Sequence, residues 1–362
     1  MGKIKPRNTV EKINPYPLGD SPEEIKQKFN LEIIRKLSDN ENVYGCSNEV
    51  QKEILNNLAR LFRYPDGKTE HLTRKLAEFY HIQESQLFIG NGSEEIIRLL
   101  TRAYIDYGDE AIIADPTFPR YETNVVIEGG KVIKVPLANG VHQLEQMLRS
   151  ITLKTKMIFI CNPNNPTGTI VGKDALLDFI EKVRSNVLIV LDEAYYEYVT
   201  SDDYLQSVTL LKRHPNLIIL RTFSKIYGLA GMRVGYAMMA ASIVNELQKV
   251  KEVFNVNTLA QAASLAALTD QDFVTECARK NKAEKEFLYQ SLQQLGVSFY
   301  PSETNFIYIF SHYPMFARLN EEGILVRQMK LAGFAEAFRM TIGTRDDNEA
   351  FLIVLKSLLN EE

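Results

Sequence analysis

At 362 residues the chain exceeds what one ordinary hydrophobic core fills, so one large domain with a smaller companion is expected. Its 45% hydrophobic and 24% charged residues are those of a soluble globular protein, and a net charge of −4 excludes the basic surplus of a nucleic-acid surface. Cys46, Cys161 and Cys277 are scattered without a C-x-x-C pair and no apolar run approaches the ~18 residues that span a bilayer, so no disulfide framework, metal site or membrane partner is expected, and a reducing, cytoplasmic location is.

Residues 1–40 are polar and interrupted by Pro15, Pro17 and Pro22, then amphipathic from Glu23 to Leu37. That pattern predicts an N-terminal arm ending in a short helix, grouped with the smaller domain. Ser38 to Gly45 is rich in turn residues, and Val50 to Phe62 reads as an amphipathic helix stopped by Tyr64-Pro65-Asp66-Gly67. Gly67-Lys68-Thr69 resembles the close of a phosphate-binding P-loop. That motif needs a glycine five residues before Gly67, where Phe62 stands, so it is excluded.

From Leu87 onward short apolar runs alternate with helical periods. They are LFI, a helix from Glu94 to Tyr104, AIIA (111–114), a helix near Tyr121 to Glu128, KVIKV (131–135) and KMIFI (156–160). A helix from Asp174 to Arg184, VLIVL (187–191), LIIL (217–220) and VGYAM (234–238) continue the series. Buried strands in turn with helices predict an α/β domain with a largely parallel sheet over 41–253. Ligands of such sheets sit beyond the carboxyl ends of the strands, so the chemistry is sought in the loops there.

Five such segments carry suitable residues. Gly90-Asn91-Gly92-Ser93-Glu94 opens a helix, where free N–H groups and the Ser93 hydroxyl suit an anion, although an ordinary glycine turn has the same pattern. Phe118, after Asp115-Pro116-Thr117, offers a flat face to an aromatic ring or simply fills the core. Asn165, in the proline-stiffened NPNNPTG after KMIFI, presents its amide in one orientation; a stiff surface turn is the alternative. Asp192 closes VLIVL, and a carboxylate after so apolar a strand is costly unless a cation or proton donor meets it. Finally, LIILRTFSKIYGLAGMRVGY delivers Lys225 to the end of a buried strand, where desolvation leaves a neutral amine able to attack a carbonyl. Gly228 and Gly231 permit a close turn, so that Arg233 can fold back and grip a phosphate. Lysine for an aldehyde and arginine for a phosphate suit pyridoxal phosphate.

Beyond Val253 the composition shifts to helix: an Ala-rich segment (259–268), then a charged helix from Asp272 to Leu295. Strand-like Val297 to Tyr300, Asn305 to Phe310, ILVRQ (324–328) and FRMTIG (338–343) follow, with a last helix, so residues 254–362 are expected to form a smaller α+β domain. Arg327 and Arg339 lie in or beside apolar strands, as ligand clamps or as partners in structural salt bridges.

NPYPLG, NENVYG, RYPDGKTEHL, GNGSEEII, NPNNPTG, DEAYYEY, RTFSKIYGLAGMRVGY, SETNF, ILVRQ and FRMTIGTRDDN stand in one order along nearly the whole chain. This series resembles the fold-type I pyridoxal-phosphate aminotransferases, and within them the histidinol-phosphate aminotransferases. The resemblance implies a three-layer large domain with a mostly parallel sheet, a small α+β domain and a homodimer with shared active sites. It implies that Lys225 forms the Schiff base and shuttles the proton, that Asp192 pairs with the pyridine nitrogen, and that Asn165 and Tyr195 contact the ring phenolate. Phe118 would stack on the ring. Ser93, the backbone of Gly92 to Glu94, Thr222, Ser224 and Arg233 would hold the phosphate, with Tyr64 reaching it from the neighbouring subunit. Arg339 and Arg327, with Tyr16 and Asn165, would receive the substrate's anionic end. The family commonly has SNENPYG, whereas here Asp39 and Val43 replace a serine and a proline, a departure on the substrate side.

The activity implied is transfer of an amino group between histidinol phosphate and 2-oxoglutarate or glutamate in histidine biosynthesis. An aromatic amino acid aminotransferase shares the cofactor motifs and is the near alternative. A threonine-phosphate decarboxylase, which releases CO₂ instead of moving an amino group, is a rival from another reaction class, and a non-enzymatic cofactor-binding regulator is a third reading.

Overall fold

The computed structural model describes residues 4–360; the first three residues of the expected arm lie outside this range. In chain order the strands begin with β1 (Arg35–Lys36), β2 (Leu87–Gly90), β3 (Glu110–Asp115), β4 (Lys131–Pro136) and β5 (Thr155–Cys161). They continue with β6 (Leu188–Asp192), β7 (Leu217–Thr222), β8 (Gly235–Met238), β9 (Ser298–Tyr300) and β10 (Phe306–Ser311). The last are β11 (Ile324–Leu325), β12 (Arg327–Met329) and β13 (Glu336–Thr341).

Seven strands form a large sheet in the order β2-β8-β7-β6-β5-β3-β4. Its inner pairs are parallel, and β8 runs antiparallel to both β7 and β2. Successive residues of the central strands feed two different cores. Ile158, Ile160, Ile189, Leu191 and Ile219 enter one, while Met157, Phe159, Val190, Ile218 and Leu220 enter the other. Side chains of a strand alternate between faces, so a continuous apolar run means that both faces are covered. The covering helices include Gly92–Tyr104, Arg120–Ile127 and Ala241–Val250 on one side and Glu70–Tyr80 and Lys173–Lys182 on the other.

A second, antiparallel sheet, β12-β13-β10-β9, packs with helices Gln271–Gln294 and Arg345–Asn360 around Leu288, Leu292, Ile307, Ile309, Phe338, Met340 and Phe351. Leu37 of the arm joins this core.

Four expectations change. The arm helix spans only Pro22–Phe29, because Asn30 turns left-handed at φ 52, and residues 35–36 instead pair with β11. ILVRQ is no single strand: β11 pairs with β1, and β12 joins the small sheet. The helix from Val50 to Phe62 is regular only over Asn48–Asn57 and tightens over Leu58–Arg60. The Ala-rich shift at 254 does not open the second core. Ala260, Ala263, Ala267, Val274 and Cys277 belong to the large core, and the small core takes over within Gln271–Gln294. Small side chains let helix Thr258–Thr269 lie close on helix Asn48–Asn57, which a composition shift alone cannot distinguish from a domain change.

Candidate active site

At the carboxyl ends of the large-sheet strands lies a cavity of about 190 Å³. The start of helix Gly92–Tyr104, the ends of β6 and β7 and the loop after β5 bring Gly92, Ser93, Glu94, Asn165, Asp192, Tyr195, Thr222, Ser224 and Lys225 to its wall. Phe118, Arg233, Arg339 and Tyr16 complete the expected residues found there. Two expected residues do not line it. Tyr64 is 82% exposed and stacks on Phe254 at 4.6 Å, and Arg327 is paired with Asp39, which does line the cavity.

One end of the cavity is an anion cradle. At the start of helix Gly92–Tyr104 the Asn91 side chain makes no capping bond, and of the backbone N–H groups there Glu95 Oε2 accepts only that of Asn91, at 2.6 Å, so the N–H groups of the first turn, at Gly92 to Glu94 on the cavity wall, are left for an anion. Gly92 has φ +77, and a Cβ there would come within 2.9 Å of Arg233 Nη2. Arg233 donates to Ala230 O at 3.2 Å and to Ser224 Oγ at 3.5 Å. Ser224 N–H in turn donates to Thr222 Oγ1 at 3.0 Å, tying the two hydroxyl residues together.

The centre holds a buried amine and a buried carboxylate. Lys225 Nζ donates to the carbonyls of Asp39 and Asn40 at 3.3 Å each. Burial, reinforced by the charge of Arg339, brings its pKa down to about 8, against the opposing pull of Asp39 and Glu41. Asp192 accepts from the Tyr121 hydroxyl at 2.7 Å and from Ala194 N–H at 3.1 Å, neither of them a cation. Burial raises its pKa to about 6 even though both hydrogen bonds favour the charged form. Burial likewise raises the Tyr195 phenol, which accepts from Asn40 Nδ2 at 2.8 Å.

The far end is cationic. Arg339, on β13, donates to Asn165 Oδ1 and to Ser38 O at 2.7 Å each, and its Nε is buried without a hydrogen-bond partner. Arg327 Nη2 meets Asp39 Oδ1 at 2.6 Å, and Lys36 Nζ meets Asp39 Oδ2 at 3.0 Å. Burial pushes the Asp39 carboxyl up, but these two cations hold it below its usual range.

Tyr121, Asn40, Asp39 and Cys161 also belong to this constellation, and no motif in the sequence assigns them a role in it. Tyr121 stacks on Phe159 at 4.6 Å, and in the sequence its ring is one more core aromatic. Only Asp39 left a signal, as a departure from the pattern that the rest of the chain follows.

The family described as aminotransferase class I and II matches residues 32–355. A histidinol-phosphate aminotransferase of Geobacillus sp. (strain WCH70) is 44% identical over 353 residues, covering 97% of each chain. One of Geobacillus thermodenitrificans (strain NG80-2) is equally similar over the same span. Among solved structures, a histidinol-phosphate aminotransferase of Sinorhizobium meliloti in complex with pyridoxal-5'-phosphate superposes with a TM-score of 0.92 over 99% of both chains, at 24% identity.

Proposed function

The chain belongs to the class I and II aminotransferases, and we propose that it transfers the amino group between histidinol phosphate and 2-oxoglutarate, with imidazole acetol phosphate and L-glutamate as the other pair. The reaction is a step of histidine biosynthesis. The cofactor is pyridoxal 5'-phosphate. The cavity fits it in three respects: a buried carboxylate with no cation bonded to it, a glycine cradle under Arg233, and an amine whose pKa is lowered to about 8. The second of these suits a phosphate, the first a protonated ring nitrogen and the third an aldehyde.

When bound, the cofactor supplies a carbonyl for amino groups and a ring that withdraws electrons from the neighbouring carbon. In our reading Gly92, Ser93, Glu94, Thr222, Ser224 and Arg233 hold the phosphate, and Phe118 supports the ring face. Asp192 holds a proton on the ring nitrogen, because a buried carboxylate gains most from a cation placed against it. Asn165 and Tyr195 hold the ring oxygen. Lys225 Nζ, neutral in part near physiological pH, takes up and returns the substrate's proton. Arg339, with Tyr16, Asn165 and Arg327, receives the anionic end of the substrate. The observation that carries this reading is that Lys225, Asp192 and Arg339 line one cavity.

The test is turnover. Holoenzyme given histidinol phosphate and 2-oxoglutarate should form glutamate with kcat/KM at least about tenfold above that for phenylalanine, a gap of about 1.4 kcal/mol. A preference for phenylalanine or tyrosine would assign it to aromatic amino acids, and CO₂ release without glutamate would assign it to the decarboxylases.

We further read the exposed apolar set Leu55, Leu58, Leu61, Phe62, Tyr64 and Val253 as the face of a homodimer, with Tyr64 serving the partner's cavity. Mixing Tyr64→Phe chains with Lys225→Ala chains should then restore activity, since one site of each mixed dimer carries neither lesion. If mixed dimers form and stay inactive, Tyr64 serves its own subunit. The three free cysteines fit a cytoplasmic enzyme, and no helix among the described residues is long and apolar enough to cross a membrane.

A further inference from the structure

We propose that Asp39 is an internal counter-ion that competes with the substrate's anion for Arg327 and so evens out the pocket's affinity for dianions and monoanions. The proposal rests on the reading that this cavity binds the amino donor and acceptor in turn. Asp39 forms part of the cavity wall, whereas Arg327 does not line the cavity and reaches it through Nη2 on Asp39 Oδ1 at 2.6 Å. Arg327 Nη1 is held by the carbonyls of Pro17 and Leu18 at 3.0 and 3.2 Å, which fixes the guanidinium in place. Its Nε is buried with no hydrogen-bond partner.

An anion entering this end therefore meets a carboxylate before it meets Arg327. To engage the guanidinium it must take over the place of Asp39 Oδ1. The displaced carboxylate is not stranded, because Lys36 Nζ already stands 3.0 Å from Oδ2. The repulsion from Asp39 scales with ligand charge, so a dianion loses about twice what a monoanion loses. A pocket with Arg327 free would favour a phosphate steeply over a carboxylate. The two half-reactions present anionic groups of different charge to this end of the pocket, a phosphate in one and a single carboxylate in the other, and Asp39 keeps the more highly charged group from monopolising Arg327.

The test uses holoenzyme, whose own phosphate cradle is filled, and follows the half-reaction with glutamate through the cofactor's absorbance. Inorganic phosphate and propionate serve as inhibitors at mildly alkaline pH, where phosphate is mainly a dianion. Asp39→Asn, nearly identical in shape, should lower the inhibition constant of phosphate by about tenfold and that of propionate by about threefold. Asp39→Ser, run alongside, gives a second reading should the asparagine variant fold poorly. A phosphate gain equal to or smaller than the propionate gain overturns the proposal, as does an unchanged phosphate constant. Failure of the proposed donor is separate: wild-type enzyme that reacts with glutamate and not with histidinol phosphate would refute that assignment and leave this comparison readable.

Discussion

Asp192 and Glu193 are neighbours at the end of one strand, both buried, and the fold treats them in opposite ways. Glu193 Oε2 receives Arg221 Nε and Nη2 at 3.0 and 2.8 Å, and Oε1 receives the Ser207 hydroxyl at 2.6 Å. The Arg221 guanidinium also lies 3.4 Å from the centre of the Tyr196 ring, so Glu193 meets a cation that the chain itself supplies and holds in place. Asp192, pointing into the cavity, has only a phenol and a backbone N–H. A buried charge that the chain itself neutralises belongs to the scaffold, and one that it leaves without a cation marks where a cation from outside is to sit.

The sharpest way to break this contrast is to remove the scaffold's cation. Arg221→Met should strand Glu193 and cost about 3–5 kcal/mol of stability in urea denaturation, the usual cost of breaking a buried pair. A loss below about 1 kcal/mol would erase the distinction.

Asp192→Asn should act in the other direction on protein stripped of cofactor. The folded pKa of about 6 lies above the ordinary carboxyl value of 3.8, so the carboxylate form is disfavoured in the folded state. Its cost is absent below about pH 4, grows as pH rises towards 6 and is constant above, at about 3 kcal/mol. The stripped variant should therefore outlast stripped wild type at neutral pH and match it in acid, while the reconstituted variant is nearly inactive. Equal stability at neutral pH would show that Asp192 is not poised for a ligand.

Tyr121→Phe gives the smallest effect. Loss of one hydrogen bond to a charged group, about 1.5 kcal/mol, should lower kcat by about tenfold and leave the fold intact. A kcat within about twofold of wild type would confine Tyr121 to core packing.

The large sheet was legible because each buried strand is a short, uninterrupted apolar run, and Asp192 stood out as the charge that ends one. Lys225 stood out for the same reason. Tyr121 did not, because its partner lies 71 positions along the chain and nothing local separates a phenol that donates to a carboxylate from one that fills space. Asn40 is 155 positions from Tyr195 and reads locally as a turn residue. Arg327 was legible as a cation beside an apolar strand, yet not as one already taken by Asp39, since pairing between a loop and a strand of the second sheet has no period to betray it.

Arg339 belongs to the small sheet, while Asn165, to which it donates, belongs to a loop of the large one. Each sheet has its own hydrophobic core, so heating can in principle melt the two units in separate steps. An anion held between Arg339 and the large-sheet residues acts as a non-covalent crosslink between those units. Its binding free energy is lost as soon as either unit opens, so saturating ligand should fuse two transitions into one cooperative event.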